Sequence, residues 1–320
     1  MEFKHPEDCA VARDTLLLVE KCSHCFSWYD IESGERLRSV QLPDFPHEFV
    51  TDRAERHAYV GHYGVETSGH VGKGGHSLLQ IDIRTSELVR SIDLSPFNRI
   101  HGLQMDRQDR LYALSEEKST LLVLEQPAMD TAPCRAVPSG GIKSHLFALT
   151  QDGQTAFCMN LLSHTVTKVR PWDPLFAPVV CHPGQKPEGY CLSADEKTLF
   201  VSNRWSNTLS AIDTGTMEVR YSTASRDDVT RIYRSAAGHL FTSNYGDRSI
   251  SVVDPETLNE TAYLKLDDRA IALTFHPSKA LAFISLDSDR VAVLDIDRLK
   301  ILRFIETQKE PDVSKVVVLR

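Results

Sequence analysis

Nowhere in the 320 residues is there a run approaching the roughly 18 apolar residues of a membrane-spanning helix. The opening MEFKHPEDCAVARD has no basic segment followed by an apolar one, so neither a span nor a secretory leader is expected, and the expected location is cytoplasmic. Clustered Lys and Arg are missing as well. The chain holds 36 basic against 44 acidic residues, a formal charge of −8, which argues against nucleic acid or an anionic membrane as partner. Seven cysteines, an odd number in a chain this long, fit reduced thiols better than a disulfide framework, and Cys158 and Cys191 sit in apolar runs expected to be core. The CSHC at 22–25 has no second CxxC or histidine pair to complete a zinc site. The GKGG at 72–75 lacks the strand and helix that a phosphate loop needs, and there is no G-x-S-x-G elbow. No long window shows a helical period.

What is present is a repeat. An apolar strand ending in an acid or its stand-in recurs as FSWYDIESGE, LLQIDIRTSE, LLVLEQPAMD, VTKVRPWDP, LSAIDTGTME, ISVVDPETLN and VAVLDIDRLK. The markers are Asp30, Asp82, Glu125, Arg170, Asp213, Asp254 and Asp295, spaced by 52, 43, 45, 43, 41 and 41 residues. Repeats of about 40 to 45 residues holding several short strands are the period of propeller blades. The expectation is an all-β, seven-bladed β-propeller of four-stranded antiparallel blades filling residues 1–320 as one domain. DTLLLVE at 14–20 reads as the second strand of a blade, and DVSKVVVLR at 312–320 is a strand left over. The C-terminal strand is therefore expected to complete the first blade and remove a free sheet edge.

The wording of EGYCLSADEKTLFVSNRWSNTLSAIDTGTMEV (188–219) and DVTRIYRSAAGHLFTSNYGDRSISVVDPETL (228–258) resembles the YVTN-type β-propeller repeat family, over essentially the whole chain. The resemblance implies the fold; propellers host enzymes, binding modules and scaffolds alike.

Aligning the innermost strands on the aromatic or aliphatic residue of the strand that follows gives the first channel-facing position of each blade. These are Asp312, His47, His101, His145, Glu188, Arg231 and, approximately, Ile271. Three histidines at equivalent places, flanked by Asp312 and Glu188, fit a divalent metal such as Zn, Fe, Mn, Ni or Cu. A water-filled channel lined by polar groups is the plainer alternative. The PHE, HG and SH openings of successive blades, with EG in a later one, resemble a subset of the same family. Strand ends rising to the same face add Tyr63, Glu116, Asn160, Arg204 and Tyr245. Glu48, next to His47, is expected to point away from it. HYGVETSGHVGKGGHS at 62–77 lengthens the second repeat with a glycine-rich insertion carrying His70 and His76, placed to cover the mouth as a lid. His5, His57, His164, His182, His239 and His276 fall in turns, where surface placement accounts for them.

Two readings follow. One is a metal-dependent enzyme, a hydrolase or lactonase, lyase or isomerase, acting on a small anionic oxygenated substrate. In it Glu188 or Glu116 serves as acid or base, Tyr63 is a further catalytic candidate, and Arg231 fixes a carboxylate. The other is a scaffold binding a peptide or protein on the channel face. A monomer or dimer suits either.

Overall fold

The computed structural model describes residues 13–319, so His5, Cys9 and Arg320 lie outside the described residues. Among the described residues, twenty-eight strands form seven four-stranded antiparallel sheets. Successive inner strands lie side by side in ring order: Pro311–Leu319, Pro46–Thr51, Ile100–Met105, Ser144–Leu149, Pro187–Leu192, Val229–Arg234 and Ala270–Phe275, for blades 1 to 7. The ring closes as expected. Pro311–Leu319 pairs with Arg13–Glu20, followed outward by Cys25–Asp30 and Arg36–Gln41.

The apolar runs are continuous because both faces of the middle strands are covered. Leu17 and Val19 pack with Phe26 and Trp28 against Phe49, Val60 and Ile81 of blade 2. Leu16 and Leu18 turn the other way, onto Phe283, Val291 and Val293 of blade 7. Each such side chain contributes about 1.5–3 kcal/mol by leaving water, so the interfaces between blades carry the fold. The outer strand Arg36–Gln41 is exposed along most of its length. Trp28 also donates its indole N–H to the Ile83 carbonyl of blade 2 at 3.0 Å.

The acidic marker of the repeat is a turn device. Oδ1 of Asp30, Asp82, Asp213, Asp254 and Asp295 accepts backbone N–H groups two or three residues on, at 2.7–3.1 Å. In blades 3 and 4, Glu125 and Arg170 occupy the place. Among the described residues no helix is long and apolar enough to cross a membrane.

Candidate functional site at the channel mouth

Each inner strand begins in the same way. Its first residue pairs with the end of the second strand, and then the ladder slips by one or two residues. The second residue of each strand falls within this β-bulge: His47, His101, His145, Glu188, Thr230, Ile271 and Asp312. A bulged residue leaves the pleat's alternation and is re-aimed, here toward the axis. Six of the seven strands are preceded by a residue in the left-handed region (Phe45, Arg99, Lys143, Lys186, Asp228, Glu310). The carbonyl just ahead of each inner strand accepts a backbone N–H from the residue after the second strand. That residue is Lys21, Glu116, Leu161, Arg204, Tyr245 or Asp287, at 2.9–3.0 Å, and in blade 2 it is Gly64, one residue beyond Tyr63. This fixes a second ring above the first.

Four sequence expectations change in this frame. The blade-6 member of the first ring is Thr230, and Arg231 follows it in the same column as Glu48. Glu48 does not point away: with the alternation broken by the bulge, it faces the channel, where Arg231 Nη2 donates to its Oε1 at 3.1 Å. The blade-4 member of the second ring is Leu161. Asn160 instead braces its blade, accepting from Ser144 and donating to Thr165 and Thr167; the amides of Asn203 and Asn244 likewise donate to hydroxyls of their own blades. His276 is likewise buried rather than on the surface, receiving Ser278 and Lys279 N–H in a turn.

The mouth encloses a cavity of about 630 Å³ bordered by His47, His145, Glu188, Thr230, Ile271 and Asp312 of the first ring, by Lys21, Arg204, Tyr245 and Asp287 of the second, and by Tyr63. Arg231 borders this space and also a smaller, mainly apolar chamber of about 260 Å³ on the far side of its pair with Glu48. Alignment of the second ring would have disclosed Lys21 and Asp287, which sequence reasoning missed.

The three histidines are brought together as a stack. His101, fully buried, lies between His47 and His145 with ring centroids 4.2 and 3.7 Å away. Tyr63 meets His47 and His101 edge-on. Burial, reinforced by nearby His145, Lys21 and Arg231, holds His47 and His101 well below the usual imidazole range; both are neutral, with lone pairs available. Among the described residues neither nitrogen of His101 has a hydrogen-bond partner, and His47 Nδ1 lies 3.2 Å from Asp312 Oδ2 without hydrogen-bond alignment. Among the described residues, the donor atoms that lie within 4.8 Å of one another belong to His47, Glu48 and His101. His145, Glu188 and Asp312 are not part of that group.

His145 is held differently. Its Nδ1–H donates to Glu116 Oε2 at 2.5 Å, a carboxylate being able only to accept, which turns Nε2 toward the channel as the nitrogen free to exchange a proton. Glu116, 2% exposed, also accepts from Tyr63 Oη at 2.9 Å and Arg99 Nη1 at 3.2 Å. Burial works to raise it, but the hydrogen bonds from His145 and the Tyr63 hydroxyl outweigh burial and keep it an anion. Burial and Glu116 push the Tyr63 phenol up, which makes it a donor rather than a base. Glu188 is a fixed anion: burial opposes its charge, but Arg204, donating at 2.9 and 3.2 Å, holds it at about 2.

The insertion lies over this site. Glu66, Thr67 and Ser68 border the cavity, whereas His70 and His76 are half exposed and away from it. Its neck is tight: a Cβ on Gly64 would lie 2.1 Å from Gly75 N, and φ of +70° at Gly64 suits glycine. Arg99, which no sequence pattern singles out, brackets the loop by donating to the carbonyls of Ser68, His70 and Gly72 as well as to Glu116.

Asp312 offers a pH test. Burial, only partly offset by the Lys21 charge, raises it from 3.8 to about 6. A carboxyl raised in the folded state contributes stability that is full below its unfolded value and lost as pH rises through its folded one. Chelator-treated Asp312→Asn is therefore expected to be more stable than wild type at pH 7–8, on the order of 3 kcal/mol. The gap should close below pH 4. Urea midpoints across pH 3.5–8 check this, and a constant gap would contradict the buried-carboxyl account.

Comparisons with known proteins agree with the fold. A periplasmic gluconolactonase of Pseudomonas aeruginosa superposes with a TM-score of 0.76 at 16% identity, covering 95% of this chain and 99% of that one. A putative 6-phosphogluconolactonase from Bacteroides fragilis gives 0.75 at 15%, covering 98% and 100%. A functionally unknown protein from Desulfotomaculum acetoxidans gives 0.76 at 13%, covering 95% and 98%. At such identities the likeness establishes the seven-bladed propeller alone. No family model and no curated protein matches the chain, so the YVTN-type family itself is not shown.

Proposed function

We propose that the channel mouth is the active site of a metal-dependent hydrolase acting on a small, anionic, oxygenated molecule, with a sugar-acid lactone as the first substrate class to test. The observation that carries the reading is His101. A fully buried imidazole with both nitrogens unpartnered costs on the order of 1–3 kcal/mol per unmet group unless an ion or ordered water satisfies it. With His47 and the Glu48 carboxylate beside it, the donor set is two neutral imidazoles and an acid, a set that suits Zn, Fe, Mn, Ni or Cu. A divalent ion held there would supply Lewis-acid polarisation of a carbonyl oxygen.

The protein's own groups supply the rest. His145, oriented by Glu116, takes a proton at Nε2 from the water that attacks the lactone carbonyl. The acyl C–O bond then breaks, and the same proton is returned to the departing ring oxygen, leaving a hydroxy acid. Arg231 holds an anionic group of the substrate, and the loop over Glu66–Ser68 excludes bulk water. The names of two structural neighbours put lactones first; the Glu116–His145 pair is independent of those names.

The test is metal analysis of protein purified without a polyhistidine tag, together with acid release from a panel of sugar lactones. About one equivalent of metal and measurable ring opening are expected. His101→Ala should keep its blades, lose the metal and lose activity by at least about 100-fold. Full metal occupancy in that variant, or none in metal-replete wild type, removes the metal from the reading. Metal-free ring opening would leave a hydrolase driven by His145 alone, and no turnover would leave a hydrated channel serving as a binding face.

A further inference from the structure

The metal reading has a competitor built into it. The Glu48 carboxylate that completes the His47–Glu48–His101 group is already the acceptor for Arg231. The two residues sit in equivalent columns of blades 2 and 6, so the pair reaches across the channel and separates its upper cavity from the lower chamber. Among the described residues this is the one side-chain hydrogen bond Arg231 makes, although a guanidinium carries five N–H donors. Its other donors therefore face the two cavities it borders. The guanidinium is always charged, so it and a divalent ion cannot both be served fully by one carboxylate without repelling each other.

Resting on that metal reading, we propose that Arg231 is the resident counter-cation of the site: a divalent metal displaces it from Glu48, and the displaced guanidinium becomes the anchor for an anionic substrate group. Loading is then ordered. In metal-free protein Arg231 is occupied and the mouth binds anions weakly. In metal-loaded protein the free fork faces the upper cavity, where a carboxylate, sulfate or phosphate can be held by two parallel hydrogen bonds. By linkage, anion and metal raise each other's affinity. The same exchange explains why Arg231 stands in the column of the acid rather than in that of the histidines.

The experiment is calorimetric titration of chelator-stripped, untagged protein with Zn²⁺ alone, with sulfate alone, and with sulfate after Zn²⁺. Wild type, Arg231→Met, Arg231→Gln and Glu48→Gln are compared, with melting curves confirming that each is folded. Arg231→Gln keeps a hydrogen bond to Glu48 without the charge and covers the case in which the methionine variant fails to fold. Removing the competitor should tighten Zn²⁺ binding in both Arg231 variants by about 5- to 100-fold, whereas Glu48→Gln should weaken it by at least about tenfold. Sulfate affinity should rise with Zn²⁺ in wild type and show no such rise in the Arg231 variants. If wild type binds Zn²⁺ and the Arg231 variants bind it equally or more weakly, the competition is refuted while the metal site stands. If only the Arg231 variants bind, competition is present in its extreme form. If none binds, the metal reading falls and this inference with it.

Discussion

Removal of residues 312–320 yields a chain that does not reach a soluble folded state. The strand Pro311–Leu319 pairs with Arg13–Glu20 through Leu16↔Val316 and Thr15↔Val317, so its loss strips a backbone ladder and bares an edge. It also opens two interfaces at once, because Val316 belongs to the cluster shared with blade 7 and Val317 to the one shared with blade 2. The Asp312 carbonyl that accepts the Ser285 hydroxyl at 2.6 Å goes with it. Domains of this kind hold about 5–15 kcal/mol of net stability, and an opened ring loses more than that through its first blade. Aggregation on expression, or loss of a cooperative melt, is the expected outcome. A truncated protein melting like the intact one would show that the ring does not depend on this strand.

Glu116→Gln is expected to lower kcat on an identified substrate by about 10²- to 10⁴-fold. Three donors meet at this carboxylate: His145, Tyr63 and Arg99. A glutamine offers one acceptor and adds an N–H₂ that cannot face His145 Nδ1–H, so the ring turns or changes tautomer and Nε2 no longer holds the lone pair. Glu116 is outside the group of converging metal donors, so zinc affinity should remain within a few-fold of wild type; that readout separates orientation of His145 from loss of the ion. The same substitution frees Arg99 from one of its anchors, and proteolysis within 64–76 should become faster. Glu116→Ala adds a stability cost of about 3–5 kcal/mol by leaving a buried guanidinium unpaired. Unchanged kcat in Glu116→Gln would reduce the acid to a brace for the turn and the loop.

The fold was legible because each layer of the sequence repeats it: apolar strands, an acid that caps a turn, and two chain ends that together make one blade. The first ring was legible at six of seven places. The error at Arg231, and the expectation that Glu48 faces away, have one cause. Side-chain alternation assumes an unbroken pleat, and every inner strand breaks it after one residue. Alternation along VTR selects Arg231 for the ring, whereas the bulge puts Thr230 there and leaves Arg231 beside Glu48. Asn160 misled in the opposite direction, being polar for the sake of its own blade. Arg99 was illegible for a different reason. Its role arises where a left-handed backbone, an insertion from the neighbouring blade and Glu116 converge, and no local pattern records that meeting.

A ring of seven blades has rotational pseudo-symmetry, and a mouth that shared it would hold a ligand alike in seven orientations. This mouth does not. Going round the bulged positions, imidazoles occupy blades 2, 3 and 4, carboxylates occupy blades 5 and 1, and the uncharged Thr230 and Ile271 lie between those two acids. A small chiral molecule lying across the opening meets ring nitrogens along one flank and a hydroxyl and a hydrocarbon along the other, with the insertion above it. Its two faces are never equivalent, so enantiomers must bind in different poses. The direction in which a substrate lies is written by seven side chains onto a backbone whose blades merely repeat.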